Sequence, residues 1–155
     1  MKAEYINPFL LSTISTFDTM LNCKLERGEP YLKTATSPRH EVSGVIGLSG
    51  KAAGMVVLGL GGETAIHAAE ALLQERPPEL NADVTDAIGE LVNIIAGSAK
   101  VKLEHLNLSV SLPTVITGKN HSTEFPRKVT PICIPFNSQW GDITVEVGLC
   151  ENPTT

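Results

Sequence analysis

Two stretches of the sequence, EVSGVIGLSGKAAGMVVLGL and KVTPICIPFNSQWGDITVEVGL, align at an offset of 87 residues, matching Val42 with Val129 and Gly54 with Gly141. Each holds two runs rich in β-branched residues on either side of a break. The first pair is Val42 to Leu48 and Met55 to Leu60 across SGKAAG; the second is Val129 to Phe136 and Ile143 to Leu149 across NSQWGD. Such runs around a glycine-bearing break are the pattern of β-hairpins. Each hairpin follows a further strand, and each of those strands follows a helix. The chain thus reads as a duplicated helix-plus-three-strand unit, with pseudo-repeats at roughly 5–60 and 81–149 and a linking helix at 63–76. Pooling the strands gives one antiparallel-rich sheet with helices packed on one face, an α+β class. At 155 residues the chain is expected to form one domain, 1–155, with a core that needs neither metal nor disulfides.

The remaining elements follow from periodicity and punctuation. YINPFLLSTISTFDTMLN predicts a first helix over Tyr5 to Asn22, with Asn7 as its cap, Pro8 at its first position, and Phe9, Ile14, Phe17 and Leu21 facing a core. A short strand is expected near Tyr31 to Thr36, between turns marked by Gly28, Pro30 and Pro38. GLGG turns into the linking helix, which Pro77 and Pro78 stop. A strand is expected over Leu106 to Ile116, then a polar loop around GKNHSTEFPRK, and the NPTT tail is expected to fray.

The second long helix, centred on DAIGELVNIIAGSAK from Asp86 to Lys100, is capped by Asn81 or Asp83 and runs to about His105. At about 100° per residue, Val84, Ile88, Leu91, Val92, Ile95 and Ala99 form one apolar stripe. Opposite it, Asp86, Glu90, Asn93, Gly97 and Lys100 fall within roughly 80°. That face is sparse, a carboxylate and an amide at i,i+3 with glycine one turn on. A glycine in an exposed helix costs about 1 kcal/mol against alanine, so Gly89 and Gly97 ask for a reason, and close approach of another backbone is one.

Other chemistries find less support. The net charge of −5, with no basic patch, argues against a nucleic-acid partner. GLGG lacks both the GK[ST] and the GxGxxG of nucleotide loops, and GxSxG and SxxK serine signatures are absent. His40, His67, His105 and His121 show no ligand spacing, so no metal site is expected. Cys23, Cys133 and Cys150 are odd in number and unpaired by spacing, which suits reduced thiols. With no signal-peptide pattern and no run of about 18 apolar residues, a cytoplasmic protein without a membrane partner is the expectation.

The DxxxExxN pattern of Asp86, Glu90 and Asn93, followed by IIAGSAK and by SLPTVITG with Pro113, occurs with an opening YINPFL helix and paired hairpins. Over nearly the whole chain this resembles the CheX-type members of the CheC/CheX/FliY chemotaxis phosphatases. The resemblance implies that fold, and hydrolysis of the aspartyl-phosphate on a CheY-like response-regulator receiver domain. It implies catalytic roles for Asn93, orienting the attacking water, and for Glu90, pairing with the receiver's lysine. Asp86, Ile94, Gly97 and Lys100 would contact the partner. It implies no cofactor bound by this chain, the Mg²⁺ residing in the receiver, and a homodimer formed through an exposed β edge. The first helix carries Ser12 and Ser15 where a second ExxN would stand in the CheC-like arrangement, so one active site per chain is expected. The alternative is a non-catalytic module that binds a receiver or a flagellar-switch protein.

Overall fold

The computed structural model describes residues 2–35 and 37–152. Helix α1 (Ala3–Leu21) is followed by two short strands, β1 (Glu26–Arg27) and β2 (Tyr31–Leu32), and by the hairpin β3 (His40–Ser49) and β4 (Ala52–Leu60). Helices α2 (Gly62–Leu73) and α3 (Ala82–Lys102) come next, then a 3₁₀ turn at Glu104–Leu106. Strands β5 (Ser109–Val110), β6 (Thr114–His121), β7 (Ile132–Ser138) and β8 (Gly141–Glu151) close the chain. Among the described residues the strands form one antiparallel sheet in the order β1-β7-β8-β4-β3-β5, with β2 also on β7 and β6 also on β3. The expected α+β class is observed. The two long hairpins lie side by side, β4 against β8 from Ala52↔Glu151 to Leu60↔Ile143. No helix among the described residues is long and apolar enough to cross a membrane.

Alternation along the central strands separates the two faces of the sheet. Val42, Ile46, Val56, Leu58, Ile134, Val145 and Val147 point at the helices and join Phe9, Phe17, Ile88, Leu91 and Ile95 in one core. Gly44 on β3 allows α3 to sit close. A Cβ there would meet Val92 Cγ1 at 3.1 Å and Ile88 Cγ2 at 3.2 Å. The other face mixes polar groups with buried Val57 and Cys133 and is partly roofed by the segment after β6. There the Lys33 ammonium donates to Glu146 Oε1 at 2.9 Å, and the Thr123 hydroxyl donates to the same carboxylate at 3.0 Å.

Several expected boundaries move, each for a tertiary reason. Helix α1 begins at Ala3, not at Asn7–Pro8, and Pro8 stands inside it. Burial of Tyr5, Pro8 and Phe9 offsets the hydrogen bond that proline cannot donate, and the Tyr5 hydroxyl is tied to Glu151. The strand expected near Tyr31 to Thr36 is reduced to β2, with β1 as a second fragment on β7, and Thr36 lies outside the described residues. Helix α3 stops at Lys102, short of His105.

The strand expected over Leu106 to Ile116 is broken. Asn107 takes a left-handed φ of 47°, and only β5 pairs before Leu112 and Pro113 interrupt the ladder. Pairing then resumes as β6 and runs into the first four residues of the stretch expected to be a polar loop, Gly118 to His121, while the remainder of that stretch carries no strand. This strand lies on the rim of the sheet with both faces largely in water, so its polar residues resemble those of a loop. In the second hairpin β7 starts at Ile132 rather than Val129. The NPTT tail is described only at Asn152, whose Nδ2 donates to Gly50 O at 2.6 Å; its last three residues lie outside the described residues.

Candidate functional site

Helix α3 is built to stand still against the sheet. The Asn81 carboxamide oxygen accepts from the Val84 N–H at 3.2 Å and caps the first turn. Asp83 near its start and Lys100 and Lys102 in its last turn match the helix dipole. Val84, Ile88, Leu91, Val92, Ile95 and Ala99, the apolar stripe, are all buried. Helix α1 packs along α3, and the N-terminal half of β6 lies on its other flank.

The outward face carries the residues singled out by spacing. Asp86, Glu90, Asn93 and Lys100 are exposed, and Ile94 and Gly97 are half-buried. Glu90 and Asn93 follow one another on the same side, separated by about 4.5 Å along the axis. Neither side chain makes a hydrogen bond or ion pair to another described residue. The two helical glycines differ. A Cβ on Gly89 would meet Val115 Cγ2 at 3.5 Å and the Pro113 ring at 3.6 Å, so this glycine seats the loop before β6. A Cβ on Gly97 would meet nothing within 4 Å. Packing within this chain requires neither glycine, since the neighbours of Gly89 stand at ordinary van der Waals distance from such a Cβ and Gly97 faces open space.

The structure thus brings Asp86, Glu90, Asn93, Gly97 and Lys100 onto one open ridge, with Ile94 at its edge. Ser12 and Ser15 of α1 do not make a second such face, because Ser12 is buried at 3 % exposure while Ser15 is exposed. Among the described residues no group of three or more His, Cys, Asp or Glu could hold a metal ion. Sequence reasoning missed the polar cluster on the helix-free face. There His121 Nε2 lies 2.7 Å from the Ser43 hydroxyl, and the His40 ring covers Gly59 with its Nε2 buried and without a partner among the described residues. Burial holds the His40 imidazole below its ordinary pKa. A cavity of about 410 Å³ beside Lys33, Thr123 and Phe125 opens on that side, away from α3.

Chemically, the ridge offers an amide that can accept and donate without titrating, and a carboxylate one turn away. It can orient a water and seek a cation. A nucleophile or a charged clamp for a phosphoryl group would have to come from elsewhere. Fold and site together define an α+β protein whose polar probe stands on a helix rather than in a cleft.

The family model described as Chemotaxis phosphatase CheX matches residues 42–137. The CheY-P phosphatase CheX of Thermotoga maritima is 30% identical over 123 residues, covering 77% of this chain and 79% of that protein. The chemotaxis protein CheX of Vibrio vulnificus superposes with a TM-score of 0.89 at 33% identity, covering 96% of this chain and 100% of that one. A CheX–CheY–BeF₃–Mg²⁺ complex from Borrelia burgdorferi matches with a TM-score of 0.83 at 26% identity, covering 97% of this chain and 100% of that one. This chain belongs to the CheX family of chemotaxis phosphatases.

Proposed function

We propose that this chain is a protein phosphatase that hydrolyses the aspartyl-phosphate of a CheY-like receiver domain, with Glu90 and Asn93 of α3 entering the receiver's site. The observation that carries the proposal is the exposed, unpartnered Glu90–Asn93 pair on the ridge of α3 in a chain of the CheX family. Relatives support it by name: one is a CheY-P phosphatase and another is in complex with CheY.

Phosphoryl transfer requires positioning and electrostatic stabilisation more than covalent help. In the proposed reaction the Asn93 amide holds a water in line with the phosphorus. The water oxygen bonds to phosphorus as the bond to the aspartyl oxygen breaks, and the water's proton leaves with the phosphate. The receiver's aspartate is returned as a carboxylate. Glu90 pairs with the receiver's lysine and sets the register. Gly97 lets the partner backbone approach, with Ile94, Lys100 and Asp86 around the contact. Mg²⁺ belongs to the receiver in this scheme, and this chain contributes no cofactor. The setting is the cytoplasm, consistent with free Cys23, Cys133 and Cys150. The outer edge of β6 supports a homodimer formed edge to edge, which sedimentation of the purified protein tests.

The test is phosphate release from a CheY-type receiver phosphorylated with acetyl phosphate, with this chain present below stoichiometry. Turnover separates a phosphatase from a pure binding module. Asn93→Ala is expected to abolish turnover without changing the melting temperature. Glu90→Ala is expected to raise KM, an effect partly imitated by salt. Full activity in Asn93→Ala refutes the water-orienting role.

A further inference from the structure

One exposed apolar residue stands beside the ridge on a rigid mount. Gly47 of β3 takes a hydrogen bond from the Ser111 N–H at 2.9 Å, and Val45 pairs with Thr114. One residue, Ile46, therefore separates the β3 partners, while two residues, Leu112 and Pro113, separate those on the other strand. This is a β-bulge, a device that re-aims a side chain. The Ser111 hydroxyl accepts from the Gly47 N–H at 2.8 Å and donates to Leu112 O at 2.9 Å, which pins the bulge on both sides.

The bulge also sets which way Leu112 faces. Ser111 lies against Gly47 on the helix-free side, whereas Pro113 lies against Gly89 on the helix side. Leu112 and Pro113 oppose Ile46, whose side chain belongs to the helix-side core. Pro113 fills the contact with α3 one residue before Glu90, and Leu112 is left 88 % exposed at its side. An exposed leucine alone is unremarkable on a soluble protein. A leucine on a hydrogen-bonded bulge, buttressed by a proline against the functional helix, is pre-organised, with little ordering cost left for binding.

We infer that Leu112 is an apolar docking contact for the phosphorylated receiver, the same partner that Glu90 and Asn93 address. The inference rests on the proposed phosphatase reading, and its occupant follows from continuity. A body large enough to cover Glu90 and Asn93 also reaches the loop seated on Gly89. The ridge then divides its labour. Asn93 acts on the reacting group, Glu90 fixes register, and Leu112 supplies apolar burial at the rim, which is felt in binding and not in chemistry.

The experiment is steady-state dephosphorylation of a CheY-type receiver, phosphorylated with acetyl phosphate, by wild type, Leu112→Ser, Leu112→Met and Asn93→Ala. Leu112→Ser is expected to raise KM roughly ten- to hundredfold, the range that burial of one leucine supports, with kcat at saturation unchanged. Leu112→Met is expected to restore KM, and all variants should melt with wild type. Unchanged KM in Leu112→Ser, with Asn93→Ala inactive on the same receiver, overturns the docking role and leaves the phosphatase reading standing. Full activity in Asn93→Ala overturns both. Loss of a dimer in Leu112→Ser, measured by sedimentation, with KM unchanged also overturns the inference, since the leucine would then serve a contact between copies of this chain.

Discussion

Gly97→Ala separates the stability of α3 from its proposed work. In the free protein the added methyl enters open space, because nothing lies within 4 Å of where it would stand. Helix propensity then acts alone, and replacing glycine by alanine in a helix interior gains about 0.8–1 kcal/mol. For a chain of this size that corresponds to a rise of roughly 2–4 °C in melting temperature. Activity is expected to move the other way. If Gly97 lets the receiver's backbone approach, a methyl there holds the two proteins apart by a distance on the order of 1 Å. Misplacement of that size at a reacting centre costs up to about 10²-fold. The assay pairs a thermal melt with kcat/KM for phosphate release. A variant that melts higher yet loses most of its turnover bears out the reasoning. A variant that melts lower refutes the open-space argument, and one that melts higher with full turnover refutes the close approach.

Three further substitutions probe the supports of the site and the far side of the sheet. Gly44→Ala adds a methyl 3.1–3.3 Å from Val92 and Ile88, forcing α3 outward by a few tenths of an ångström; about 1–3 kcal/mol of stability should be lost in urea melts, with kcat falling more than KM rises because Val92 precedes Asn93. Glu146→Ala strands the Lys33 ammonium, which is paired at 2.9 Å and only 14% exposed, so a loss of about 3–5 kcal/mol is expected by urea unfolding. His40 gives a pH dependence. Burial is the main cause of its lowered pKa, His121 and Lys33 add to it, and Glu146 opposes it. The unfolded chain therefore binds the proton first as pH drops below about 6.5, so this contribution to stability is present above that pH and is lost toward the folded pKa, at no more than about 1.4 kcal/mol per pH unit. His40→Gln should flatten the slope of stability between pH 7 and pH 5.

Helix α3 could be read from the chain because its information is local. A cap residue, a 3.6-residue stripe and charges suited to each end lie within one stretch, and each was used as expected. The long hairpins were legible for the same reason. What could not be read depends on the strand opposite. Whether Leu106 to Ile116 is one strand or two fragments is decided by which residues of β3 are free to pair, and no window of sequence contains that. One sign was present: a proline cannot donate to a ladder, and Pro113 within a predicted strand marks an edge or a bulge. The Lys33–Glu146 pair joins residues 113 positions apart, with no pattern to announce it. Similarly, Pro8 looked like the start of a helix because the burial of Tyr5, which extends that helix, comes from the fold.

The site divides along the same line. That Glu90 and Asn93 share a sparse face is periodicity, visible in the sequence. That the face is held rigidly and left empty is tertiary. Gly44 lets Val92 and Ile88 sit down onto β3, Gly89 takes Pro113 against its flank, and Gly97 has no neighbour to take. Of these three glycines around one helix, Gly44 is accounted for by tight contacts inside the chain, Gly89 lies at ordinary contact distance from Pro113, and Gly97 faces the side where a partner would come. A groove that closed around a small substrate would need its own walls and its own charged clamp. The α3 ridge has neither beside Asn93, and its polar groups are uncommitted. Such a surface gains catalytic meaning only if the missing groups arrive with the substrate, as a receiver carrying its own phosphoryl group, lysine and Mg²⁺ would bring them. The physical demand on this chain is then stiffness and an open approach, and the packing of α3 provides both.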